Sequence, residues 1–347
     1  MIRIARSVVL PRSGRRFAAF QHSSSSSYSS SSSTDRPSSH ATVGNKDSVA
    51  ETAPHFASIT VLGGGQMGAG IAQTAATFNY TVNLVDMSDD ALSRGQGYII
   101  KSLKRVAKMR FKGDEPQQSR FVDDVLSRIK LSTDTESAAA GADLIIEAII
   151  EQIETKRAVF GVLDKVAPAE AILASNTSSL PIGAIGEAVG DKRKGQLAGL
   201  HFFNPVPQMK LVEIVRTERT TDETIDRLRA FAKSIDKAPV LCRDTPGFIV
   251  NRLLVPYLAE AIRMLERGDA TAEDIDTAMK CGAGYPMGPF QLLDYVGLDT
   301  VKFILDGWYK EGEGLAGSDL VRPSEKLDEL VRNGRLGVKS GAGFYDY

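Results

Sequence analysis

The sequence predicts an α/β domain that carries an inserted helical hairpin and is followed by an all-helical domain. Short β-branched runs alternate with helical patterns between residues 59 and 241. Two basic helical stretches interrupt this alternation after the second strand, and beyond residue 247 the pattern is helical throughout. Strands separated by helices form βαβ units, so we expect a parallel sheet of the Rossmann type in the first domain.

The composition sets limits on the class of protein. A chain of 347 residues suits about two globular domains. A net charge of −1 provides no broad field to attract nucleic acid, and no run of about twenty apolar residues predicts membrane insertion. Cys242 and Cys281 lack the spacing of a disulfide framework or a zinc site, so we expect no metal.

The N-terminal segment has the composition of a targeting sequence. Residues 1–34 contain five arginines and no acidic residue, and residues 23–33 are serine apart from Tyr28. Such a segment cannot bury enough apolar area to fold, so we interpret residues 1–54 as a mitochondrial transit peptide and a disordered spacer. A chloroplast address and a tail without a targeting role are the alternatives.

A glycine-rich turn follows the first predicted strand. Gly63, Gly65 and Gly68 have the spacing GxGxxG, enclose Gln66 and Met67, and lead into a small-residue helix. Gly63 permits the tight turn, Gly65 lets the backbone approach a pyrophosphate, and Gly68 lets the helix pack closely on the strand. This context predicts a Rossmann-type dinucleotide-binding domain.

The end of the second strand indicates which dinucleotide is bound. The strand at residues 81–85 ends at Asp86. An acid at this position can accept hydrogen bonds from both ribose hydroxyls and repels a 2′-phosphate, so the expected cofactor is NAD rather than NADP.

The alternation continues with strands at 143–148 and 171–174 around a helix at 153–166. The inserted hairpin comprises helical stretches at 91–111 and 117–129 that are rich in lysine and arginine. These cations could bind an acidic ligand such as the phosphates of coenzyme A, or the hairpin could simply be a charged, solvated surface.

A histidine and a glutamate mark the next candidate site. His201 ends an apolar run, two prolines follow, and Glu213 lies twelve positions later in an alternating strand pattern. A strand–turn–strand unit would bring the two together, and an imidazole held by a carboxylate is a good proton acceptor. The alternative is that the histidine ends a strand and the glutamate faces solvent.

The remaining boundaries follow from a change in composition. We assign the dinucleotide-binding domain to residues 55–243, a linker to 244–249, and a helical C-terminal domain to 250–347. The helix at 248–266 is apolar over a wide arc that includes Leu253, Leu254, Leu258, Ile262 and Leu265. An arc this wide predicts a homodimer interface on the C-terminal domain.

Several motifs in the same order resemble one enzyme family. They are VLGGGQMGAGIA from Val61, ASNTSSL from Ala174, the segment 201–212, DTPGFIVNRLLVPY from Asp244, GAGYPMGPFQLLDYVGLD from Gly282, and the segment 339–345. From about residue 58 to 345 the chain resembles the short- and medium-chain 3-hydroxyacyl-CoA dehydrogenases of mitochondrial fatty-acid β-oxidation. The resemblance implies reversible NAD-dependent oxidation of (S)-3-hydroxyacyl-CoA to 3-oxoacyl-CoA in the mitochondrial matrix.

The resemblance also assigns catalytic roles. His201 is expected to be the general base, with Glu213 orienting it. Ser178 is expected to hydrogen-bond the substrate hydroxyl, and Asn251 to support the reacting oxygen and the closed arrangement of the domains.

The same resemblance extends the ligand-binding set. The residues expected to bind NAD are Gly63, Gly65, Gln66, Met67, Gly68, Asp86, Glu151, Lys156, Ser178, Asn204 and Lys339. Those expected to contact the acyl-CoA substrate are Ser102, Lys108 and Ser178. Met109 occupies the position of the family's basic coenzyme A contact, so we assign that contact to Lys108, with Arg110 as the other neighbouring cation.

Two other functions stay open on the sequence. One is an NADP-linked acetoacetyl-CoA reductase, or a dehydrogenase of small free hydroxy acids, on the same scaffold. Asp86 disfavours the NADP-linked enzyme, and the basic hairpin disfavours a small free acid. The other is a non-catalytic NAD-binding or structural protein, which the complete set of His201, Glu213, Ser178 and Asn251 disfavours.

Overall fold

The computed structural model describes residues 56–312 and 314–347. The predicted transit peptide and spacer, residues 1–54, lie outside the described residues. Within the described part, no helix combines the length and the apolar character needed to cross a membrane.

The described residues form eight strands and twelve α-helices. The strands are β1 (Ser58–Leu62), β2 (Thr81–Val85), β3 (Ile129–Ser132), β4 (Leu144–Glu147), β5 (Ile172–Ser175), β6 (Leu197–Phe202), β7 (Leu211–Arg216) and β8 (Ala238–Arg243). The helices of the first domain are α1 (Gln66–Thr77), α2 (Asp89–Arg110), α3 (Glu115–Ser127), α4 (Thr135–Ala140), α5 (Ile153–Val166), α6 (Ile182–Ile185) and α7 (Asp222–Ser234). The C-terminal helices are α8 (Val250–Glu266), α9 (Ala272–Gly282), α10 (Pro289–Val296), α11 (Leu298–Glu311) and α12 (Glu325–Arg332).

All eight strands form one sheet in the order β3-β2-β1-β4-β5-β6-β7-β8. Neighbouring strands are parallel except β6 and β7, which are antiparallel because the chain turns back between them. The predicted strand–turn–strand unit is therefore confirmed. The carboxyl ends of β1, β2, β4 and β5 meet at one edge of the sheet, where α/β proteins place their ligands.

Two helical layers cover the sheet. Apolar side chains of α1, α2, α3 and α7 pack on one face, and those of α4, α5 and α6 pack on the other. A third core cluster lies within the C-terminal helices. These three clusters confirm the predicted fold class of a sheet domain with helices on both faces and an all-helical domain after it.

The inserted hairpin is confirmed as α2 and α3, but sequence reasoning missed the elements that follow it. Strand β3 has only four residues, carries Lys130, and is buried at neither end, so it lacks the apolar run that marked the other strands. Helix α4 has six residues and one buried side chain, Ala139. Both are too short to show a periodicity of their own.

Most of the apolar arc of α8 packs inside the C-terminal domain. Leu258 and Ile262 are buried in its core, and Leu254 and Leu265 pack against that core. Only Leu253 of the predicted arc is exposed, at 70%. The wide apolar arc is therefore explained largely by α8 being the central helix of its own domain.

Candidate active site

The glycine turn between β1 and α1 has the shape of a phosphate cradle. Gly63 has φ = 108°, a conformation that favours glycine. A Cβ on Gly68 would lie 1.9 Å from the Gly63 carbonyl oxygen, so only glycine permits this close packing of helix on turn. A Cβ on Gly65 would meet nothing within 4 Å, and Gly65 offers no side-chain cap to α1. The helix N-terminus thus faces open space with its amides available to an anion.

Asp86 lies beside this turn at the end of β2. Its Oδ2 accepts a hydrogen bond from the backbone N–H of Gly64 at 2.6 Å, and its Oδ1 accepts from Met87 at 2.7 Å. The carboxylate is half-buried and fixed next to the cradle. This arrangement fits the ribose of a dinucleotide that carries no 2′-phosphate.

His201 and Glu213 stand directly opposite each other on β6 and β7. His201 Nδ1 lies 2.8 Å from Glu213 Oε2, so the predicted contact is present. Ser178 Oγ lies 2.9 Å from the other ring nitrogen, Nε2. The histidine is 3% exposed and the glutamate 0%. An imidazole, a carboxylate on one of its nitrogens and a hydroxyl on the other are therefore aligned in one row.

The second oxygen of Glu213 bonds to the C-terminal domain. Glu213 Oε1 accepts hydrogen bonds from the backbone N–H groups of Ile249 at 3.1 Å and Val250 at 2.8 Å, at the start of α8. Burial would raise the pKa of Glu213, but the bonds from His201 and these two amides hold that pKa below its ordinary value. Glu213 therefore stays ionised and fixes both the imidazole and the first turn of α8.

Asn251 is brought near the base through this turn. It is the second residue of α8 and directly follows Val250, which is bonded to Glu213. Within the described residues its side chain has no hydrogen-bond partner. The amide is therefore available for a ligand.

Two aromatic rings flank the imidazole. The ring centroids of Phe203 and Phe248 lie 4.5 Å and 5.5 Å from that of His201. Phe248 is buried and lies in the segment between the two domains. Sequence reasoning did not select Phe248, and its own φ of 52° is visible only in the structure. These rings cover part of the imidazole, which is 3% exposed.

Glu151 organises the turn that carries Ser178. Its Oε1 accepts hydrogen bonds from the backbone N–H groups of Ser178 and Ser179, each at 3.1 Å, and from the hydroxyls of Thr177 and Ser179. The side chain of Asn176 accepts a bond from the Phe202 N–H at 2.8 Å, which ties this turn to β6. The position of the serine next to His201 is thus fixed from two sides.

Lys156 lies behind this turn and is 1% exposed. Its Nζ lies 2.5 Å from Glu147 Oε1 and 3.3 Å from Glu151 Oε2. Glu147 is 0% exposed and was missed by sequence reasoning. A charged residue at the end of the apolar strand β4 was the available signal, because that strand ends at the ligand edge of the sheet.

Asn204 joins the turn after β6 to the glycine-rich turn. Its Oδ1 accepts a hydrogen bond from Gln66 Nε2 at 3.1 Å, so the turn after β6 touches the first residue of α1. Two residues predicted to bind the cofactor, one from each half of the sheet, are thus in contact. Met67 is half-buried and packs against the core on the same helix.

Three other predicted residues lie apart from this cluster. Lys339 Nζ pairs with the carboxylate of Asp299 at 2.6 Å in the C-terminal domain. Ser102 and Lys108 lie on α2, where they are six positions apart and so differ by about 120° around the helix. Arg105 differs from Ser102 by only about 60°, is exposed, and has no ion-pair partner in the described chain. It is a candidate contact that sequence reasoning missed.

The described residues contain no cluster of three or more potential metal ligands. A cradle for a dinucleotide lies beside a buried histidine that has a carboxylate on one nitrogen and a hydroxyl on the other. Together these features define a nicotinamide-dependent dehydrogenase of the Rossmann class.

Comparison with known proteins identifies the family. Residues 58–245 match the family model of the 3-hydroxyacyl-CoA dehydrogenase NAD binding domain, and residues 247–347 match that of the C-terminal domain. The chain is 54% identical over 289 residues to hydroxyacyl-coenzyme A dehydrogenase, mitochondrial, of Homo sapiens, covering 83% of this chain and 90% of that protein. It is 51% identical to a probable 3-hydroxyacyl-CoA dehydrogenase of Caenorhabditis elegans, covering 83% and 92%.

A solved structure agrees with this assignment. The crystal structure of (S)-3-hydroxybutyryl-CoA dehydrogenase from Ralstonia eutropha aligns with a TM-score of 0.77 and 36% identity, over 84% of this chain and 99% of that one. The chain belongs to the 3-hydroxyacyl-CoA dehydrogenase family, and its cofactor is NAD. The open cradle at Gly65 and the fixed carboxylate of Asp86 fit that cofactor.

Proposed function

We propose that the protein catalyses the reversible NAD-dependent oxidation of (S)-3-hydroxyacyl-CoA to 3-oxoacyl-CoA. The observation that carries this is His201, held between Glu213 on Nδ1 and Ser178 on Nε2. The names of its relatives, which are hydroxyacyl-CoA dehydrogenases, support the same substrate class.

The hydrogen bonds assign the protonation states. An ionised Glu213 accepts only, so His201 donates its Nδ1–H and leaves Nε2 free to accept a proton. Ser178 lies at Nε2, where it can hydrogen-bond the substrate 3-hydroxyl and guide its proton to the imidazole. NAD, when bound, supplies the acceptor for the hydride that leaves C3.

The charge that develops on the base is stabilised by the chain itself. Once His201 has taken the proton it is an imidazolium, and the carboxylate of Glu213 lies 2.8 Å away in a buried site. A nearby opposite charge in a medium of low dielectric favours that state strongly. In the reverse direction the imidazolium returns the proton to the 3-oxo group.

Replacing the base tests this assignment. We expect His201→Ala to lower the oxidation rate of L-3-hydroxybutyryl-CoA by about 10²–10⁴-fold, the usual contribution of a general base. NADH formation measures the rate, and thermal unfolding shows whether the variant is folded. A folded variant within about tenfold of the wild-type rate would contradict the role of His201. The same assay with NADP tests the alternative reductase, which we expect to be disfavoured by Asp86.

We propose that the exposed face of α2 binds the coenzyme A part of the substrate. Ser102 and Lys108 lie on this helix, and Lys108 and Arg105 are exposed cations without partners in the described chain. The guanidinium of Arg110 instead lies 5.3 Å from the ring centroid of Phe111, so it is engaged with the hairpin. The angular position of Arg105 favours it over Lys108 as the cation that accompanies Ser102.

We also propose that the C-terminal domain forms a homodimer. Its surface exposes several large apolar side chains: Leu253, Tyr285, Tyr295, Val296 and Phe303. Leu253 and Phe303 are 70% and 69% exposed. Large apolar side chains exposed in this way are typical of protein–protein contact surfaces. Light scattering of the purified chain tests this, with Leu253→Lys and Phe303→Lys expected to shift a dimer toward monomer. A monomeric wild type at micromolar concentration would contradict the proposal.

We propose a mitochondrial matrix location. The support is the arginine-rich, acid-free composition of residues 1–34 and the word mitochondrial in the names of relatives such as the human protein. Import of the full chain into isolated mitochondria, compared with a chain that begins at residue 55, is the test. Equal import of both forms would contradict it.

A further inference from the structure

The turn between β6 and β7, residues 204–209, packs on the helix that follows the glycine-rich turn. Val206 is 2% exposed and lies against Gly70 of α1, where a Cβ would come within 2.9 Å of the Val206 Cβ. At the start of the same helix, Gln66 Nε2 donates a hydrogen bond to Asn204 Oδ1 at 3.1 Å. The 204–209 turn therefore supports, at two points, the helix whose N-terminus faces the phosphate cradle.

A buried lysine holds the 204–209 turn in place. Lys237 lies between α7 and β8 and is 8% exposed. Its Nζ donates hydrogen bonds to the backbone carbonyls of Val206 at 2.5 Å and Met209 at 2.8 Å. The Met209 N–H also bonds to the Pro205 carbonyl at 3.0 Å. One ammonium thus ties together two separate points of the turn.

The charge of Lys237 is used on these carbonyls and not in an ion pair. Among the described residues, Asp236 pairs with Lys210 instead, and no carboxylate forms an ion pair with Lys237. Burial and the charge of Lys210 lower the pKa of Lys237 to about 8, against the opposing effect of Asp236, so its amine is still mostly protonated at neutral pH. A buried charge is costly, and here the bonds to the turn offset that cost.

We propose that Lys237 is a positioning residue for cofactor binding, which fixes the 204–209 turn and thereby holds the first turns of α1 in the geometry that binds the pyrophosphate of NAD. The proposal rests on the NAD-dependent dehydrogenase function above and names a residue that sets its cofactor affinity. Lys237 lies outside the set of residues that the sequence predicted to bind the cofactor, and it acts through Asn204 and Val206.

The predicted effect is on affinity because other contacts hold the catalytic row. His201 and Glu213 are paired in register on β6 and β7. The backbone of Ser178 is fixed by Glu151. These contacts lie outside the 204–209 turn, so loosening that turn should weaken NAD binding more than it slows the chemical step.

Replacing the ammonium by an apolar group of similar length removes both bonds to the turn. Without them the supporting arrangement of the turn becomes one of several, and NAD binds only to the fraction that retains it. We expect Lys237→Met to raise the dissociation constant of NADH about tenfold, which corresponds to a supporting arrangement populated about one tenth of the time. The value of kcat at saturating NAD should change less than about threefold.

Fluorescence titration with NADH and steady-state oxidation of L-3-hydroxybutyryl-CoA are the two measurements. Lys233→Met, at an exposed lysine in the last turn of α7, is the matched control and should leave both constants unchanged. A role in stability alone lowers the amount of folded protein but not the NADH affinity of the protein that remains folded. A dissociation constant within about threefold of the wild type would therefore overturn the proposal, and so would a loss of kcat as large as the loss of affinity.

A background in which the turn is already detached from α1 tests the route of the effect. Gln66→Ala combined with Val206→Ala weakens both contacts between the turn and the helix. In this background Lys237→Met should raise the NADH dissociation constant by less than about twofold, because mutations along one route are not additive. The full tenfold rise in this background would show that Lys237 acts by another route and would overturn the proposal.

Val206→Ala alone keeps the test decisive if Lys237→Met does not fold. It shortens the side chain that lies against Gly70 and leaves Lys237 bonded to both carbonyls. We expect the NADH dissociation constant to rise at least about threefold with kcat preserved, and an unchanged dissociation constant would overturn the proposal. The titration needs no acyl-CoA, so a wild type that binds NADH without oxidising a 3-hydroxyacyl-CoA would refute the dehydrogenase function alone.

Discussion

Replacing Glu213 by glutamine should inactivate the enzyme while leaving it folded. The two backbone N–H groups of Ile249 and Val250 both point at Oε1, so the new amide must turn its oxygen toward them. Its NH₂ group then faces His201 Nδ1 and donates to it. The imidazole is forced into the tautomer that carries its proton on Nε2, the nitrogen that should accept the proton of the substrate.

The expected size follows from what is lost and what is kept. Loss of a general base costs about 10²–10⁴-fold in rate, and we expect Glu213→Gln to lower kcat by about 10³-fold. Because the amide oxygen still accepts from both N–H groups, the free energy of unfolding should fall by no more than about 2 kcal/mol. Glu213→Ala loses all three partners and should cost about 3–5 kcal/mol in addition to the loss of activity.

NADH formation from L-3-hydroxybutyryl-CoA and urea unfolding are the two measurements. Glu218→Gln, the same change at an exposed position after β7, is the matched control and should resemble the wild type in both. The reasoning fails if folded Glu213→Gln retains a rate within about tenfold of the wild type. It also fails if the variant loses activity only in proportion to the fraction unfolded.

Three further predictions concern other parts of the molecule. Because the pKa of Glu213 is lowered in the folded state, its contribution to stability is complete above pH about 4.5 and is lost as pH falls through the lowered value. In urea unfolding, the difference in free energy of unfolding between the wild type and Glu213→Gln should therefore shrink in acid. Arg105→Ala should raise the KM for hydroxyacyl-CoA about fivefold, which corresponds to roughly 1 kcal/mol for an exposed charge contact. Lys108→Ala should raise this KM less, and steady-state kinetics that show the larger rise for Lys108→Ala would contradict the prediction. Iodoacetamide at neutral pH should modify exposed Cys281 and spare half-buried Cys242, whose pKa is raised to about 12 by burial and by the nearby carboxylates of Glu213 and Asp244. Peptide mass spectrometry measures this, and equal modification of both thiols would contradict it.

The sequence predicted the features that depend on short, local patterns. The β-branched runs, the GxGxxG turn and Asp86 each lie within a few residues, and the structure places them as one cradle at the ends of β1 and β2. The contact between His201 and Glu213 was also predictable, because a tight return of the chain pairs two adjacent strands. Local spacing predicts the cradle and the strand pair because few other backbone conformations fit that spacing.

Features that depend on burial could not be read from the sequence. Lys156 has the composition of a surface residue, and only the packing of α5 on the sheet places its ammonium between Glu147 and Glu151. The apolar arc of α8 likewise predicts an interface, yet most of its side chains pack in the core of its own domain. In both cases the deciding quantity is which surface a helix faces, and a single helix pattern does not contain that information.

Glu213 gives the active site its connection between the two domains. One oxygen of the carboxylate holds the His201 imidazole, and the other fixes the first turn of α8, which carries Asn251. Moving α8 away from the sheet would remove two charge-assisted hydrogen bonds from the same carboxylate that holds the imidazole. The orientation of the His201 ring and the placement of Asn251 are therefore coupled through one side chain.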